Sequence, residues 1–389
     1  MNKTADTIKK IAVSCAARVL LTPLTLLPVK KNRVLFVSFR GKQYSCNPRA
    51  ISQALVKKAG GALEIAWAFH DADAFRFLEN EGVKVLSDSS FEFLKYAVTS
   101  RVVVTNTYYK PHVPRRKNQF FIRTWHGGGA YKRVGSAQSM PFWERVFVKM
   151  QQQGANLYLS SSKAFSEMTI REAFGYKGEI LECGMPRNDR LVKGDCDQAK
   201  KCVYEYLNLP EDIHLALYAP TYRDNMDKDG LYPDFARMEK ALECRFGGKW
   251  KIAYRGHHVY YKNRFSEKIP NATGYMDMQD LLLASGALIT DYSSSIWDMS
   301  LMMKPVFLFC PDLEAYIGGR DFFTDIHSWP FPLSECDDEL EKNILAFDED
   351  KMRTAYLQHH KALGSFESGN ASEIAADRIL SVCGQGKDI

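Results

Sequence analysis

The segment Thr124-Trp125-His126-Gly127-Gly128-Gly129 sets a histidine directly after the apolar run Phe120-Phe121-Ile122 and directly before three glycines. A short continuous apolar run reads as a buried parallel strand, and glycines at its carboxyl end mark a tight loop. Ligands of open α/β sheets bind at those carboxyl ends. A histidine there can take a proton near neutral pH, and glycine lets backbone come close to a substrate. His126 is therefore a candidate general base with Gly127 beside it. A core histidine next to a glycine turn is the plainer alternative.

Three further segments carry polar groups to comparable places. Thr290-Asp291-Tyr292-Ser293-Ser294-Ser295 follows Ala287-Leu288-Ile289 and precedes Ile296-Trp297-Asp298-Met299, reading as strand, sharp turn, helix. A helix start offers free N–H groups and a positive dipole end to a phosphate, and three serines exceed the need of one cap. Tyr254-Arg255-Gly256-His257-His258 follows the apolar Ile252-Ala253. A fixed positive charge and a histidine at a strand end suit charge developing on a phosphate. No acidic or cysteine partner lies at ligand spacing from the two histidines, which argues against a metal. Tyr218-Ala219-Pro220-Thr221-Tyr222-Arg223-Asp224 is again strand then loop, ending in an Arg-Asp pair.

Alone, each of the last two segments reads as a surface loop. Together the four describe phosphates held by arginine and helix ends, with a histidine as base. That is the equipment for transfer from an activated diphosphate donor. The carboxylate pair of a retaining glycosidase, the nucleophile elbow and the Walker loop are not apparent.

Eleven apolar runs predict the strands that must position these groups. They are 33–38, 65–69, 83–86, 101–105, 120–124, 156–160 and 179–182, then 215–218, 250–255, 287–290 and 306–309. Helical patterns at 48–58, 162–174, 278–284 and 294–303 lie between them. Strands alternating with helices predict α/β architecture, with parallel sheets covered by helices on both faces. The charged stretch 193–201 is the natural break. We expect two doubly wound, Rossmann-like domains, 33–192 and 193–389, facing a cleft. The segment 352–380 reads as helical and is placed to pack across both.

Apolar and charged fractions of 46% and 25% are those of a globular chain, and 389 residues suffice for two full cores. The net charge of +6 is modest, and no nucleic-acid signature accompanies it. Much of the excess sits in residues 1–33, where Lys3, Lys9, Lys10, Arg18, Lys30, Lys31 and Arg33 face the single acid Asp6. Within residues 1–32, the apolar stretch 11–28 is broken by Arg18 and Pro23, too short and interrupted to span a bilayer. It lacks the small-residue cleavage site of a signal peptide. A basic, apolar segment fits an amphipathic helix on an anionic membrane surface, with a terminal helix packed on the body as the alternative. Nine scattered cysteines, odd in number and without a C-x-x-C pair, indicate a reducing compartment. The expected location is the cytoplasmic face of the membrane.

The ordered motifs resemble those of the CDP-glycerol glycerophosphotransferases of teichoic acid and capsule synthesis. The resemblance runs from Ser38, Gly41 and Tyr44-Ser45-Cys46-Asn47-Pro48 through Trp125-His126-Gly127 to Gly184-Met185-Pro186-Arg187-Asn188-Asp189. It continues with Ala219 to Asp224, Arg255-Gly256-His257, Leu281-Leu282, Ile289 to Ser294, Lys304-Pro305 and the stretch 316–325, covering residues 33–330 in family order. Two departures stand out. Gly128-Gly129 replaces a common Thr-Pro, a change that bears on acceptor choice, and His258 stands where proline is common, a matter of loop rigidity.

The resemblance implies a GT-B-like catalytic unit with the donor in the C-terminal half. His126 would deprotonate an acceptor hydroxyl, whose oxygen attacks the β-phosphorus of CDP-glycerol while CMP leaves. His257 and Arg255 would bind the diphosphate, with Ser293 and Ser294 cradling it. Arg187, Asn188, Asp189, Arg223 and Asp224 match the family's cleft residues without an individual role. Asp291 belongs to the donor motif, where its carboxylate shapes the turn because it would repel phosphate. Arginine and helix-end donors can neutralise the diphosphate without metal, and a role for Mg²⁺ stays open. The implied acceptor is a polyprenyl-diphosphate-linked glycan or glycerophosphate. The length suits one catalytic unit, as in a priming or short-chain transferase, without excluding a polymerase. The competing readings are transfer from CDP-ribitol or another polyol donor, a GT-B glycosyltransferase using a nucleotide sugar, and an inactive nucleotide- or glycan-binding scaffold.

Overall fold

The computed structural model describes residues 3–135, 141–152, 154–194, 196–221, 232–256, 269–319 and 321–384. The chain divides into two compact units. The first comprises residues 1–126, 134–189 and 366–389; the second comprises 127–133 and 190–365.

The first unit holds seven strands: β1 (Lys30–Val37), β2 (Glu64–Phe69), β3 (Lys84–Ser87), β4 (Ser100–Thr105), β5 (Phe120–Arg123), β6 (Leu157–Ser160) and β7 (Glu179–Glu182). All pair in parallel, in the order β3-β2-β1-β4-β5-β6-β7. Their apolar runs are continuous because helices cover both faces. Along β1, Val34 and Phe36 join one apolar cluster while Leu35 and Val37 join another, and Val102, Val103 and Val104 of β4 alternate likewise. The period of two thus splits one run between two cores.

The second unit has β8 (Ile213–Tyr218), β9 (Lys249–Tyr254), β10 (Ala287–Thr290), β11 (Val306–Phe309) and β12 (Leu333–Ser334). They form an all-parallel sheet in the order β12-β11-β10-β8-β9. Each of the eleven expected strands is present within three residues of its expected ends. The two-residue β12 was not foreseen, being too short to show any period. All nine cysteines are free thiols.

The division departs from the continuous one expected at residue 192. Residues 3–32 belong to the first unit, residues 127–133 to the second, and the chain returns to the first unit from Phe366 onward. The reason for the return is packing. The helix Ala371–Val382 lies on the helix Cys46–Ala59, and Ala371, Ala375, Ala376 and Ile379 join Ile51 and Leu55 in one buried cluster.

The helix Glu349–Leu363 carries two half-buried histidines into the second unit. His359 Nε2 lies 2.9 Å from the Tyr131 hydroxyl, and His360 Nε2 lies 2.8 Å from Ser300 Oγ. Burial pushes both imidazoles down to about 4, with the neighbouring His360 adding to the effect on His359. The unfolded chain titrates near 6.5 and binds protons that the folded chain refuses, so stability falls as pH drops from about 6.5 towards 4 and is unaffected above. Urea midpoints at pH 7 and pH 4.5 should therefore differ more for the wild type than for His359→Asn/His360→Asn. Equal slopes in the two proteins would refute this account.

Candidate active site

Strand order in the first sheet reverses direction between β1 and β4, the kind of switch point at which α/β sheets take ligands. Asn106, directly after β4, organises this end. It is 1% exposed. Its Oδ1 accepts the Phe39 N–H at 2.8 Å, and its Nδ2 donates to Ser38 Oγ at 3.1 Å. Ser38 Oγ in turn donates to the Ser45 carbonyl at 3.1 Å.

The backbone carbonyl of Asn106 lies 2.9 Å from His126 Nδ1. A carbonyl oxygen only accepts, so Nδ1 carries the proton and the neutral ring presents its lone pair at Nε2. The rings of Trp125 and Phe39 lie with their centroids 4.4 and 5.5 Å from that of the half-buried imidazole.

This orientation is built on strained backbone. Trp125, Phe39 and Arg40 have φ of +54°, +59° for Arg40 and +44° for Phe39, a left-handed region costing a side-chain-bearing residue about 1–2 kcal/mol. Side-chain amides hold it. Asn47 Nδ2 donates to the carbonyls of Trp125 at 3.0 Å and Thr124 at 3.3 Å, while Asn106 holds Phe39 as described. Such local strain persists where the surroundings over-determine it, commonly at functional sites.

The Pro186–Asp189 motif is tied to the same centre. Asn47 Oδ1 accepts the Arg187 N–H at 3.1 Å, and the buried Arg187 guanidinium reaches Cys46 Sγ at 3.6 Å. Asn188 Nδ2 donates to Glu367 Oε1 at 3.0 Å. Asp189 accepts the N–H groups of Ala371 at 2.9 Å and Ser372 at 2.7 Å, capping the helix Ala371–Val382. Asn188 and Asp189 therefore fasten the C-terminal segment.

In the second unit, the switch point lies between β8 and β10. Thr290 Oγ1 donates to the Ala219 carbonyl at 2.6 Å. Asp291, 1% exposed, accepts the Thr221 N–H at 2.9 and 2.8 Å and the Thr221 hydroxyl at 2.7 Å. Its carboxylate thus forms the turn, and Lys132 Nζ reaches Thr221 Oγ1 at 3.2 Å. Ser293 Oγ accepts from the N–H and hydroxyl of Ser295 at 3.3 and 2.9 Å. Ser294 occupies the N-cap of the helix Ser295–Leu301 without a side-chain capping bond, and both Ser293 and Ser294 are half-exposed.

Arg255 follows β9, its N–H bonded to the Tyr218 carbonyl at 2.8 Å. Its guanidinium lies 2.9 Å from Met278 Sδ and forms no ion pair among the described residues. Burial pushes its pKa down to about 10, opposed by the charge of Asp277, so the side chain stays cationic at neutral pH. A half-buried cation with no ion pair among the described residues is chemically suited to an anion. His257, Arg223 and Asp224 lie outside the described residues.

Gly127, Gly128 and Gly129 are buried. A Cβ on Gly128 would stand 2.6 Å from Cδ1 of the fully buried Trp297, and one on Gly129, at φ +76°, would stand 2.2 Å from the Tyr131 ring. The departure from Thr-Pro at these positions thus has a packing cause within this chain. Sequence reasoning missed Asn106 as an orienting residue and left Asn47 without a role. The signal for Asn106 was its place directly after Val102–Thr105, the criterion that selected His126. Among the described residues, no three His, Cys, Asp or Glu side chains form a metal cluster.

A family model described as CDP-Glycerol:Poly(glycerophosphate) glycerophosphotransferase matches residues 20–381. The teichoic acid poly(glycerol phosphate) polymerase of Bacillus spizizenii is 28% identical over 371 residues, covering 91% of this chain and 93% of the relative. The teichoic acid ribitol-phosphate primase of the same organism is 30% identical over 395 residues, covering 93% and 94%. Among solved structures, a variant of the wall teichoic acid polymerase TagF soaked with CDPG superposes with a TM-score of 0.79 and 25% identity, covering 98% of this chain and 97% of that one.

Proposed function

Since the chain belongs to the CDP-glycerol:poly(glycerophosphate) glycerophosphotransferase family, we propose that it builds phosphodiesters with His126 as base and Arg255 as anchor of the donor diphosphate. The reaction is transfer of glycerol phosphate from CDP-glycerol to an acceptor hydroxyl, with release of CMP. The acceptor proton passes to His126 Nε2. The freed oxygen bonds to the β-phosphorus, the one bearing glycerol, and the bond from that phosphorus to the bridging oxygen breaks. The electron pair leaves on CMP. Arg255 and the hydroxyls of Ser293 and Ser294 oppose the charge gathering there. His257, Arg223 and Asp224 are assigned to the donor by their motifs. Gly127 allows close backbone approach, and Arg187 adds positive charge on the acceptor side. Asn188, Asp189 and Asp291 act as positioning residues.

The observation that carries this reading is the Asn106 carbonyl at His126 Nδ1. It fixes the tautomer that a general base requires, at a ligand-binding end of the sheet.

A lipid-linked glycan or glycerophosphate is the proposed acceptor, met at the cytoplasmic face of the membrane. The N-terminal helix Lys3–Leu21 supports that placement. Its buried face carries the small polar residues Thr7 and Ser14, while Val19 and Leu20 are 72% and 79% exposed, with Leu26 beyond it at 87%. No described helix is long and apolar enough to cross a membrane.

The test is CMP release from CDP-glycerol, CDP-ribitol and a panel of nucleotide sugars, with a lipid-linked disaccharide analogue present. Turnover of CDP-glycerol is expected to dominate. The relationship to a ribitol-phosphate primase makes CDP-ribitol the second reading. Turnover of a nucleotide sugar alone would overturn both.

A further inference from the structure

Within the first unit lies a cavity of about 400 Å³, lined by neither Asn106 nor His126, whose wall includes Arg18, Tyr109, Lys110, Arg115, Arg116 and Lys117. Among the described residues, no Asp or Glu lines it. Five cations round one cavity repel one another, so folding retains them at a cost unless an anion enters.

The partners of these cations sharpen the case. Arg116 donates to the carbonyls of Leu27 and Val98, and Arg115 to Asn156 Oδ1 at 2.5 Å, all neutral groups. Among the described residues, Lys110 alone of the five has a carboxylate partner, Asp88 at 3.0 Å. Among the described residues, Arg18, Arg115, Arg116 and Lys117 form no ion pair. Burial, and then the charge of Arg123, hold the Arg115 guanidinium below its ordinary range.

An independent observation points the same way. The Tyr109 side chain lines the cavity and is 8% exposed, yet among the described residues its hydroxyl has no hydrogen-bond partner. A buried hydroxyl without a partner costs roughly 1–3 kcal/mol, so such groups are usually satisfied by something.

The surroundings identify that something. Arg18 is followed on its helix by the exposed Val19 and Leu20, and Arg116 binds the carbonyl of Leu27 in the next turn. The helix Phe142–Gln152, which packs on the N-terminal helix, supplies Met150 and Gln151 to the cavity and exposes Phe142 and Trp143 at its other end. A basic cavity among exposed apolar and aromatic side chains suits a molecule with an anionic head and hydrocarbon tails.

We infer that this cavity binds the phosphodiester headgroup of an anionic bilayer phospholipid, with Arg18, Arg115, Arg116 and Lys117 around the phosphate and the Tyr109 hydroxyl donating to it. The inference deepens the membrane-surface reading. It is independent of the transfer chemistry, which a soluble acceptor reports separately.

The test uses the full chain, vesicles of phosphatidylglycerol or phosphatidylcholine, and soluble dihexanoyl-phosphatidylglycerol. Arg18→Gln/Lys117→Gln should weaken binding to phosphatidylglycerol vesicles by about tenfold or more, at roughly 1 kcal/mol per basic residue near the surface. Lys200→Gln/Lys201→Gln, which removes the same charge elsewhere, should change it less than about twofold. Tyr109→Phe should bind the soluble lipid several-fold more weakly while melting no lower than wild type, because only an unpartnered hydroxyl is lost. CMP release to a soluble acceptor should be unchanged in all three. Equal loss in the two double variants, or undiminished lipid binding by Tyr109→Phe, would overturn the cavity as the site. Inorganic phosphate binding as tightly as the soluble lipid would overturn the lipid as its occupant.

Discussion

His126→Ala should release CMP from CDP-glycerol about a thousandfold more slowly than the wild type, within the 10²–10⁴ range that a positioned general base contributes. One hydrogen bond orients the base. Nδ1 of His126 faces the carbonyl of Asn106 at 2.9 Å, so the basic lone pair is at Nε2. Alanine removes the acceptor for the proton but none of the donor contacts proposed for Arg255, Ser293 and Ser294, so affinity for CDP-glycerol should be unchanged. Added imidazole should restore part of the rate, which a purely structural role for His126 would not allow. Asn106→Ala keeps the carbonyl but releases Phe39 and Ser38 from the side-chain amide, and an intermediate loss is expected. CMP release by His126→Ala within about fivefold of wild type would remove the base from the mechanism.

Arg255→Met should lower kcat/KM for CDP-glycerol by about a hundredfold to a thousandfold, comparable with loss of one donor at a developing oxyanion. The same variant should melt higher than wild type in the absence of donor. Burial already lowers the guanidinium pKa to about 10, and no described residue forms an ion pair with it. Methionine gives up the guanidinium contact with the Met278 sulfur, replaces it with an apolar side chain and discards the desolvated charge. Adding CDP-glycerol should then raise the melting temperature of the wild type and leave Arg255→Met unmoved, by mass action. Arg255→Lys should recover charge but not the planar fork, and so part of the activity. A lower melting temperature together with near-normal kcat/KM would make Arg255 a structural residue.

Strand positions were legible because parallel strands covered on both faces leave continuous apolar runs such as Val102-Val103-Val104. The same logic exposed His126, since a polar residue directly after such a run falls at the carboxyl edge of a sheet. Asn106 satisfied that rule as well, but a lone asparagine carries no pattern, its bond to His126 comes from a carbonyl that any residue has, and its amide partners Phe39 and Ser38 lie far off in sequence. Asn188 and Asp189 stood in a recognisable motif whose partners, Glu367 and Ala371, lie some 180 positions further on. Nothing local marks such a pairing. The C-terminal helix shows the same limit, because its place is decided by an alanine-rich face fitting Ile51 and Leu55. The glycines after His126 were read as room for a substrate, and a Cβ on Gly128 or Gly129 would meet Trp297 or Tyr131.

The chain passes between the two units after His126, Arg133, Asp189 and Ser365. This threading bears on synthesis at the ribosome. When Asp189 has been translated, the sheet of the first unit is complete, yet the helix that covers Ile51 and Leu55 does not exist. The ribosome must make the whole of residues 190–365 first, on the order of 10–40 s at roughly 5–20 residues per second. For that interval the nascent first unit exposes an apolar face and Asp189 has no helix to cap. The last-made helix is therefore the closing step of the first-begun unit. Stop codons just before Ala371 would leave a product with its second unit whole and its first unit open to chaperones and proteases.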